Sequence, residues 1–139
     1  MFVLRPFQRH GADFLAARKQ AAILDAFGLG KTPQAIAALR QVGARRVLII
    51  APLATALGWQ REFSRWWPDC PEAFTLCRRK DPILITGIVL IPWTDLAMRL
   101  PDLLQHRFEV CVGDESHRCK GGTGVKMSRA FTGAWRKVD

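Results

Sequence analysis

The sequence predicts an α/β fold of three layers, with helices on both faces of a mainly parallel sheet. The uninterrupted aliphatic run at residues 47–51 is typical of a strand that is buried on both faces, and residues 88–91 and 108–112, the latter interrupted by Glu109, are further strand candidates. Helical patterns separate these runs, which is the alternation that a parallel sheet requires. Because ligands of such sheets bind beyond the carboxyl ends of the strands, the residues after each run are the first candidates for a functional site.

The helices are predicted from the spacing of apolar residues and from the positions of prolines. They are expected at residues 4–15, 34–39, 58–67 and 93–100. Pro68 and Pro101 are expected to end the last two. Shorter strands are predicted at residues 74–77 and 83–85. Trp66 and Trp67 fall at helical spacing, which favours core positions over a role in stacking on bases.

Size and charge limit the class of protein. A chain of 139 residues fits one domain, which we expect to occupy residues 1–139. The formal net charge of +9 favours a polyanionic partner, most simply nucleic acid, although the same charge could serve solubility alone. The basic triplet at residues 78–80 is interpreted as a solvated loop, with phosphate contact as the alternative.

Cysteine usage and hydropathy indicate the compartment. No cysteine has the C-x-x-C spacing and no signal peptide precedes them, so we expect free thiols in a cytoplasmic protein, or in one that works in the nucleoid or nucleus. A zinc site of Cys111, His117 and Cys119 is disfavoured, because structural zinc ligands usually come in close pairs. The longest apolar run, at residues 82–93, is too short to cross a membrane.

A glycine-rich loop at residues 25–32 is the strongest local signal. It follows a short apolar run at residues 21–24, predicted as a strand, and precedes a helical pattern. Gly28 and Gly30 would allow a tight turn whose backbone N–H groups point inward, and the following helix would add its positive N-terminal end. An ordinary turn between a strand and a helix is the alternative, and the Gly-Lys-Thr sequence at this place disfavours it.

The residues that close the loop have the chemistry of a nucleotide site. Lys31 would reach the β- and γ-phosphates of a nucleoside triphosphate, and the Thr32 hydroxyl would be a ligand of Mg²⁺. The usual G-x-x-x-x-G-K-[ST] pattern has glycine where this chain has Asp25. That difference leaves the phosphate-binding interpretation in place but requires an explanation.

Acidic residues follow the last predicted strand. Asp114 could hold Mg²⁺, and Glu115 could orient and deprotonate the water that attacks the γ-phosphate. His117 would then lie near the γ-phosphate. A polar surface turn is the alternative, and the glycine-rich loop earlier in the chain disfavours it.

Taken together, these motifs resemble the first RecA-like lobe of superfamily 2 helicases, specifically the Swi/Snf-type DNA translocases and most closely their annealing-helicase branch. Residues 25–32 resemble motif I of that family, in which the first position is characteristically Asp, so the resemblance accounts for Asp25. The other matching segments are residues 4–8 (Q-motif), 50–53 with 59–63 (motif Ia and its helix), 89–96 (motif Ib) and 114–117 (motif II).

The resemblance implies ATP and Mg²⁺ as cofactors, and ATP hydrolysis coupled to movement along double-stranded DNA. Gln8, helped by Arg5, would read the adenine, and Thr55 would contact the DNA backbone. The nucleotide-binding set would be Arg5, Gln8, Asp25, Gly28, Leu29, Gly30, Lys31 and Thr32. Ala26, where the family usually has Glu, and Gly113, where it has an apolar residue, depart from the pattern without removing a phosphate or metal ligand.

By the same resemblance, residues 1–139 correspond to the first lobe only, ending before the motif III strand. We therefore expect a RecA-like P-loop fold that is incomplete, weak or no activity alone, and a partner that is a second helicase lobe or a separately encoded continuation. An arginine finger from such a partner is worth roughly 10³ to 10⁵ in rate in related enzymes. The alternative is a non-catalytic module that binds DNA or a partner and retains helicase motifs. A small P-loop kinase is a third possibility, but no lid or substrate pocket is visible in the sequence.

Overall fold

The computed structural model describes residues 2–26, 28–82 and 87–115. The predicted strand at residues 83–85, His117 and Cys119 lie outside the described residues. The chain divides into two compact units, described in turn. The helical unit comprises Met1–Ala44 and Gly58–Cys70, and the sheet unit comprises Arg45–Leu57 and Pro71–Asp139.

The sheet unit contains a parallel sheet of four strands in the order β2-β3-β1-β4. The strands are β1 (Arg46–Ala51), β2 (Phe74–Leu76), β3 (Gly87–Pro92) and β4 (Val110–Gly113). Every neighbouring pair is parallel, which confirms the predicted α/β class and strand direction. The two central strands are almost completely buried, as uninterrupted Val, Leu and Ile runs require.

A helix after β3 covers part of the sheet. This helix, α4 here, runs over Trp93–Leu103, so the predicted end at Pro101 is wrong. Proline in the last turn removes one N–H donor, while Leu96 and Leu103 are buried against the sheet and hold the helix to its end. The apolar core of this unit consists of Leu48, Ile50, Cys77, Val89, Ile91, Trp93, Leu96, Leu103, Phe108 and Cys111.

The helical unit contains α1 (Pro6–Ala16), α2 (Lys31–Gln41) and, from Gly58 onward, α3 (Ala56–Trp66). All three helices were predicted from the sequence, with ends that differ by a few residues. The rings of Trp59, Phe63 and Trp67 follow one another with centroid distances of 6.3 and 6.4 Å. Trp67 is buried, which confirms its predicted core position, whereas Trp66 is only half-buried. Among the described helices, none has the length and apolar character needed to cross a membrane.

The prediction of a strand at residues 21–24 is wrong, because this segment is irregular and the side chain of Leu24 is 94% exposed. A strand is defined by a ladder of hydrogen bonds to a neighbour. Within the described parts of the chain, no segment pairs with these residues. Apolar sequence alone therefore does not make them a strand.

Candidate nucleotide-binding site

The glycines of the loop are required by its backbone conformation. Gly28 has φ +80° and Gly30 has φ +72°, in the left-handed region that L side chains rarely adopt. Gly30 is also the residue that precedes the first turn of α2. A Cβ atom on Gly30 would lie 2.4 Å from Nε2 of Gln8, whereas among the described residues no atom lies within 4 Å of a Cβ on Gly28. The loop is therefore packed at one glycine and open at the other.

Lys31 lies inside the curve of this loop. Its Nζ donates to the carbonyl oxygen of Asp25 at 2.8 Å and to that of Ala26 at 3.2 Å. Thr32 follows in the first turn of α2, where backbone N–H groups have no partner within the helix. No acidic residue occupies that first turn. An ammonium group, a hydroxyl and backbone N–H groups without partners inside the helix thus occur together, which is a donor set suited to phosphate.

Asp25 has a structural partner that sequence analysis missed. Nε2 of Gln34 donates to Oδ2 of Asp25 at 3.0 Å and to the carbonyl oxygen of Gly30 at 3.3 Å. Gln34 is only 1% exposed. One buried amide on α2 thereby joins the first residue of the loop to its last glycine. The observable signal was a glutamine on the apolar face of α2, three residues after the lysine.

The space for Gln34 depends on a glycine in α1. A Cβ atom on Gly11 would lie 1.8 Å from Oε1 of Gln34, so any larger residue would displace the amide. The hydrogen bonds of Gln34 and this close contact fix α1, the loop and α2 to one another. The identity of Asp25 is thus explained physically, because a glycine there would leave a buried amide donor without its carboxylate acceptor.

Gln8 links the start of α1 to the same loop. Its Nε2 donates to the carbonyl oxygen of Leu29 at 3.1 Å, and its Oε1 accepts from the backbone N–H of Arg5 at 2.9 Å. The structure therefore brings together Gln8, Asp25, Leu29, Gly30 and Lys31, all of which were predicted as nucleotide-binding residues. Arg5 takes part in these contacts through its backbone.

The acidic pair lies at the carboxyl end of β4, in the sheet unit. The N–H of Asp114 donates to the carbonyl oxygen of Ile50 at 2.8 Å, and its own carbonyl accepts from Nε1 of Trp93 at 2.7 Å. Glu115 has φ +56°, an unfavourable value for a residue with a side chain. Backbone strain of this kind costs roughly 1–3 kcal/mol and is concentrated at functional sites. The predicted position of the pair after a strand is confirmed, while His117 lies outside the described residues.

Thr55 ends a short 3-10 turn, Leu53–Thr55, that follows β1. Its hydroxyl donates to the carbonyl oxygen of Pro52 at 2.8 Å, and its N–H donates to the same oxygen at 2.9 Å. The side chain therefore stabilises the turn. Its predicted contact with DNA stays a prediction.

Two of the described cysteines, Cys77 and Cys111, are buried in the sheet unit. Cys111 is buried in β4, and burial raises the pKa of its thiol to about 12. Burial also raises the pKa of Cys77. The other two members of the suggested zinc site, His117 and Cys119, lie outside the described residues.

Comparisons with known proteins place these features in one family. The model of the SNF2-related domain matches residues 7–130. The bovine (Bos taurus) SWI/SNF-related matrix-associated actin-dependent regulator of chromatin subfamily A-like protein 1 is 34% identical over 129 residues, which are 91% of this chain and 13% of that protein. The human (Homo sapiens) lymphoid-specific helicase is 31% identical over 140 residues, covering 85% of this chain and 17% of that protein.

Solved structures show the same fold. The Sulfolobus solfataricus SWI2/SNF2 ATPase core in complex with dsDNA superposes with a TM-score of 0.78 and 23% identity, over 93% of this chain and 30% of that one. The Sulfolobus solfataricus SWI2/SNF2 ATPase core domain gives a TM-score of 0.72 and 25% identity, over 83% of this chain and 26% of that one. The predicted resemblance to Swi/Snf-type proteins is confirmed, for a chain that spans less than a fifth of either relative above.

Proposed function

The chain belongs to the SNF2-related domain family, and on that premise we propose that residues 1–139 are the ATP-binding lobe of a DNA-dependent ATPase of the translocase type. The observation that carries the proposal is the position of Lys31, enclosed by the loop at the start of α2 with two loop carbonyls on its ammonium group. A turn that served only to connect two elements would not need a lysine at its centre. A loop that receives phosphates needs this lysine, because its ammonium group pairs with phosphate oxygens.

The residues of the loop fit ATP and Mg²⁺. The open side of Gly28 leaves room for a ligand to approach the backbone, and the donors at the start of α2 match phosphate oxygens. Lys31 would exchange its carbonyl partners for the β- and γ-phosphates, and Thr32 would provide a hydroxyl ligand to the metal. When bound, Mg²⁺ neutralises charge on the phosphates. Gln8 and Arg5 would contribute at the adenine end.

In the sheet unit, the acidic pair would supply the hydrolytic groups. Asp114 would hold the metal ion, directly or through water, and Glu115 would orient and deprotonate the attacking water. The backbone hydrogen bonds of Asp114 to Ile50 and Trp93 support this assignment, because they fix the place from which its carboxylate extends. His117 would lie near the γ-phosphate and would sense its hydrolysis through a hydrogen bond.

Double-stranded DNA is the partner that this function requires. One of the solved ATPase cores was determined in complex with dsDNA, and the net charge of +9 suits the same ligand. Thr55 would contact the DNA backbone. We further propose that hydrolysis and movement depend on a second helicase lobe, in the same or a separate polypeptide, so that these 139 residues alone turn over ATP slowly. We expect such a protein in the cytoplasm, or in the nucleoid or nucleus where DNA is located.

The test compares nucleotide binding and turnover in wild type and Lys31→Ala. We expect a fluorescent ATP analogue to bind wild type and to bind Lys31→Ala at least about tenfold more weakly, since one charge-assisted contact is worth roughly 1.5–3 kcal/mol. Lys19→Ala, which removes an exposed lysine, is the matched control. Equal affinity in wild type and Lys31→Ala would contradict the nucleotide site. Binding of DNA without any binding of nucleotide would instead support the non-catalytic module.

A further inference from the structure

The turn at residues 78–81 of the sheet unit is exposed, as predicted for a solvated loop, and it is also held by hydrogen bonds. The backbone N–H of Arg78 donates to Oδ2 of Asp81 at 2.8 Å, and the N–H of Asp81 donates to the carbonyl oxygen of Arg78 at 3.2 Å. The same carbonyl also accepts from Nη1 of Arg99, a residue of α4 that is only 5% exposed. The turn is therefore fixed to α4 as well as to itself.

A second attachment holds the arginine side chains. Asp95, in the first turn of α4, is 1% exposed and accepts from Nε of Arg78 at 3.2 Å and from Nε of Arg79 at 3.0 Å. The hydroxyl of Thr94 donates to the same carboxylate at 3.3 Å. A buried carboxylate is costly unless it is paired, and here each oxygen receives a guanidinium group. One anion thus holds two cations side by side, and the trio keeps a net positive charge.

The outer ends of both guanidinium groups are available to a ligand. The side chains of Arg78 and Arg79 are 47% and 58% exposed. Each uses Nε for Asp95, and across residues 2–26, 28–82 and 87–115 their Nη groups have no hydrogen-bond partner. Paired N–H groups in a planar fork match the oxygens of a phosphate. Lys80 follows directly and is exposed.

The cations around this turn, which are Arg78, Arg79, Lys80 and Arg99, outnumber the carboxylates of Asp81, Asp95 and Asp102 by one. Asp81 is engaged by the backbone of Arg78, and Asp102 accepts from Nε of Arg99 at 3.2 Å. Arg79 and Lys80 line an open cleft of about 430 Å³ whose other walls include Gln105 and His106. Donors thus predominate among the groups that remain free along this rim.

We propose that Arg78, Arg79 and Lys80 form a preorganised contact for the phosphodiester backbone of double-stranded DNA, with Asp95 as the positioning residue. The inference rests on the proposed function, because it assigns a surface to the DNA on which that function depends. Ordering an arginine side chain on binding costs conformational entropy. Asp95 fixes the two guanidinium groups beforehand, so part of that cost is already met in the free protein.

The first measurement is the affinity of the 139-residue chain for a random-sequence DNA duplex at several salt concentrations. Each lost phosphate contact reduces the slope of log K against log salt by about 1, so Arg78→Ala/Arg79→Ala should lower the slope by about 2 and Lys80→Ala by about 1. The double variant Arg9→Ala/Arg61→Ala removes the same charge from exposed helical positions and should change the slope less. Equal changes in the two double variants would overturn the proposal.

The second measurement separates positioning from charge. Asp95→Asn makes the protein more positive, so a surface that acted by net charge alone would bind DNA more tightly. We expect the opposite, a weakening of roughly three- to tenfold, because the two guanidinium groups lose their common anchor. Arg79→Lys keeps the charge and Asp95 but lacks the planar fork, and it should also weaken binding. Tighter binding by Asp95→Asn, with unchanged binding by Arg79→Lys, would overturn the proposal.

A failure of the proposed DNA surface can be distinguished from a failure of the proposed function. Thermal unfolding of each variant shows whether it is folded under the binding conditions. If wild type binds DNA and the variants at residues 78–80 bind equally well, the surface is misassigned while the proposed function stands. If wild type binds no duplex even at low salt, both fail.

Discussion

The loop at residues 25–30 and the turn at residues 78–81 are each held by one buried polar side chain, but these side chains differ in charge. Gln34 and Asp95 are both 1% exposed. Gln34 is neutral and donates to a carboxylate and a carbonyl of its loop. Asp95 is anionic and accepts from two guanidinium groups of its turn. Gln34 thus supplies a donor to the acceptors of its loop, and Asp95 supplies an acceptor to the donors of its turn.

The difference follows from what each segment has to present. The loop contains the carboxylate of Asp25 and two carbonyl groups that accept from Lys31, so a second carboxylate beside them would add repulsion where phosphates are expected. The turn presents two arginines, which would repel one another without a shared anion. A neutral anchor therefore suits a loop that is to receive a polyanion, and an anionic anchor suits a turn that is to contact one. Changing the charge of either anchor tests this comparison.

The largest effect is expected from Gln34→Glu. The new carboxylate would face Oδ2 of Asp25 and the carbonyl oxygen of Gly30, where Nε2 of Gln34 now donates at 3.0 and 3.3 Å. A buried charge against two acceptors should reduce the free energy of unfolding by about 3 kcal/mol or more, and should abolish binding of the ATP analogue. Denaturant unfolding followed by tryptophan fluorescence measures the first, and titration with the analogue measures the second.

Two further variants test whether the loss of stability in Gln34→Glu comes from the contact between residues 34 and 25. Gln60→Glu makes the same change at an exposed position of α3 and should leave stability nearly unchanged. Adding Asp25→Asn to Gln34→Glu restores a donor and acceptor pair with reversed direction and should recover part of the loss. A Gln34→Glu protein as stable as wild type would show that the amide does not hold the loop.

Gly11→Ala should have the next largest effect. The added Cβ would lie 1.8 Å from Oε1 of Gln34, so the amide must move and its bonds to the loop must lengthen. Overpacking of this kind costs about 1–3 kcal/mol. Gly58→Ala is the matched control, because no atom of the residues that the structure describes lies within 4 Å of a Cβ there, and alanine favours helix. Unfolding midpoints that fall in Gly58→Ala rather than in Gly11→Ala would contradict the packing described for Gln34.

The burial of the strands and the conformation of the loop glycines could be predicted from the sequence, but the hydrogen bond between Gln34 and Asp25 could not. Burial of β1 and β3 was predictable, because long runs of Val, Leu and Ile fit only a strand covered on both faces. The conformations of Gly28 and Gly30 followed from the loop pattern. The bond between Gln34 and Asp25 was not predictable, since periodicity carries no information on which polar groups meet across nine positions.

Two errors have the same origin in tertiary contacts. Residues 21–24 have the apolar composition of a strand, but pairing depends on a neighbour that composition does not specify. Helix α4 continues past Pro101 because the burial of Leu103 outweighs the loss of one backbone hydrogen bond. The pairing of Asp95 was likewise not predictable, since an acidic residue in the first turn of a helix is common and does not by itself indicate burial. Its burial beneath two arginines is visible only in the fold.

Acid should weaken the anchor of the turn. Burial alone would raise the pKa of Asp95, but hydrogen bonds from Arg79 and Arg78 outweigh burial and hold the pKa of this carboxyl below its ordinary value. The stability that the pairing contributes is therefore fully present above the unfolded pKa of about 3.9 and is lost as pH falls through the lower folded pKa. Gln34 does not titrate, so the loop has no such dependence through its anchor.

The measurement is the free energy of unfolding between about pH 6 and pH 3 for wild type and Asp95→Asn. Wild type should lose about 1 kcal/mol relative to the variant as pH falls to about 3, because the carboxyl of the unfolded chain takes up its proton in this range before that of the folded protein does. Arg61→Ala, which alters charge without altering a buried carboxylate, should follow the wild-type curve. Parallel curves for wild type and Asp95→Asn would mean that Asp95 carries no pH-dependent stability.

The smallest effect is expected at Glu109, whose carboxylate pairs with arginine as that of Asp95 does but is partly exposed. Glu109 accepts from the backbone N–H of Arg45 at 2.7 Å and of Arg46 at 3.1 Å, and it also pairs with the Arg46 side chain at 3.3 Å. Hydrogen bonding by Arg45, followed by the contacts of Arg46, lowers the pKa of Glu109 against the opposing effect of burial. These bonds join the start of β1 to the residue that precedes β4.

Glu109→Gln keeps an acceptor and removes the charge, so the expected loss of unfolding free energy is about 1 kcal/mol at pH 7, reduced by solvent screening because the side chain is 37% exposed. Denaturant unfolding at low and high salt measures it, and the loss should shrink at high salt. The corresponding loss in Asp95→Asn should be larger and less sensitive to salt, because that carboxylate is buried. If the two losses were equal and equally screened, burial would not be what distinguishes an anchor from a surface ion pair.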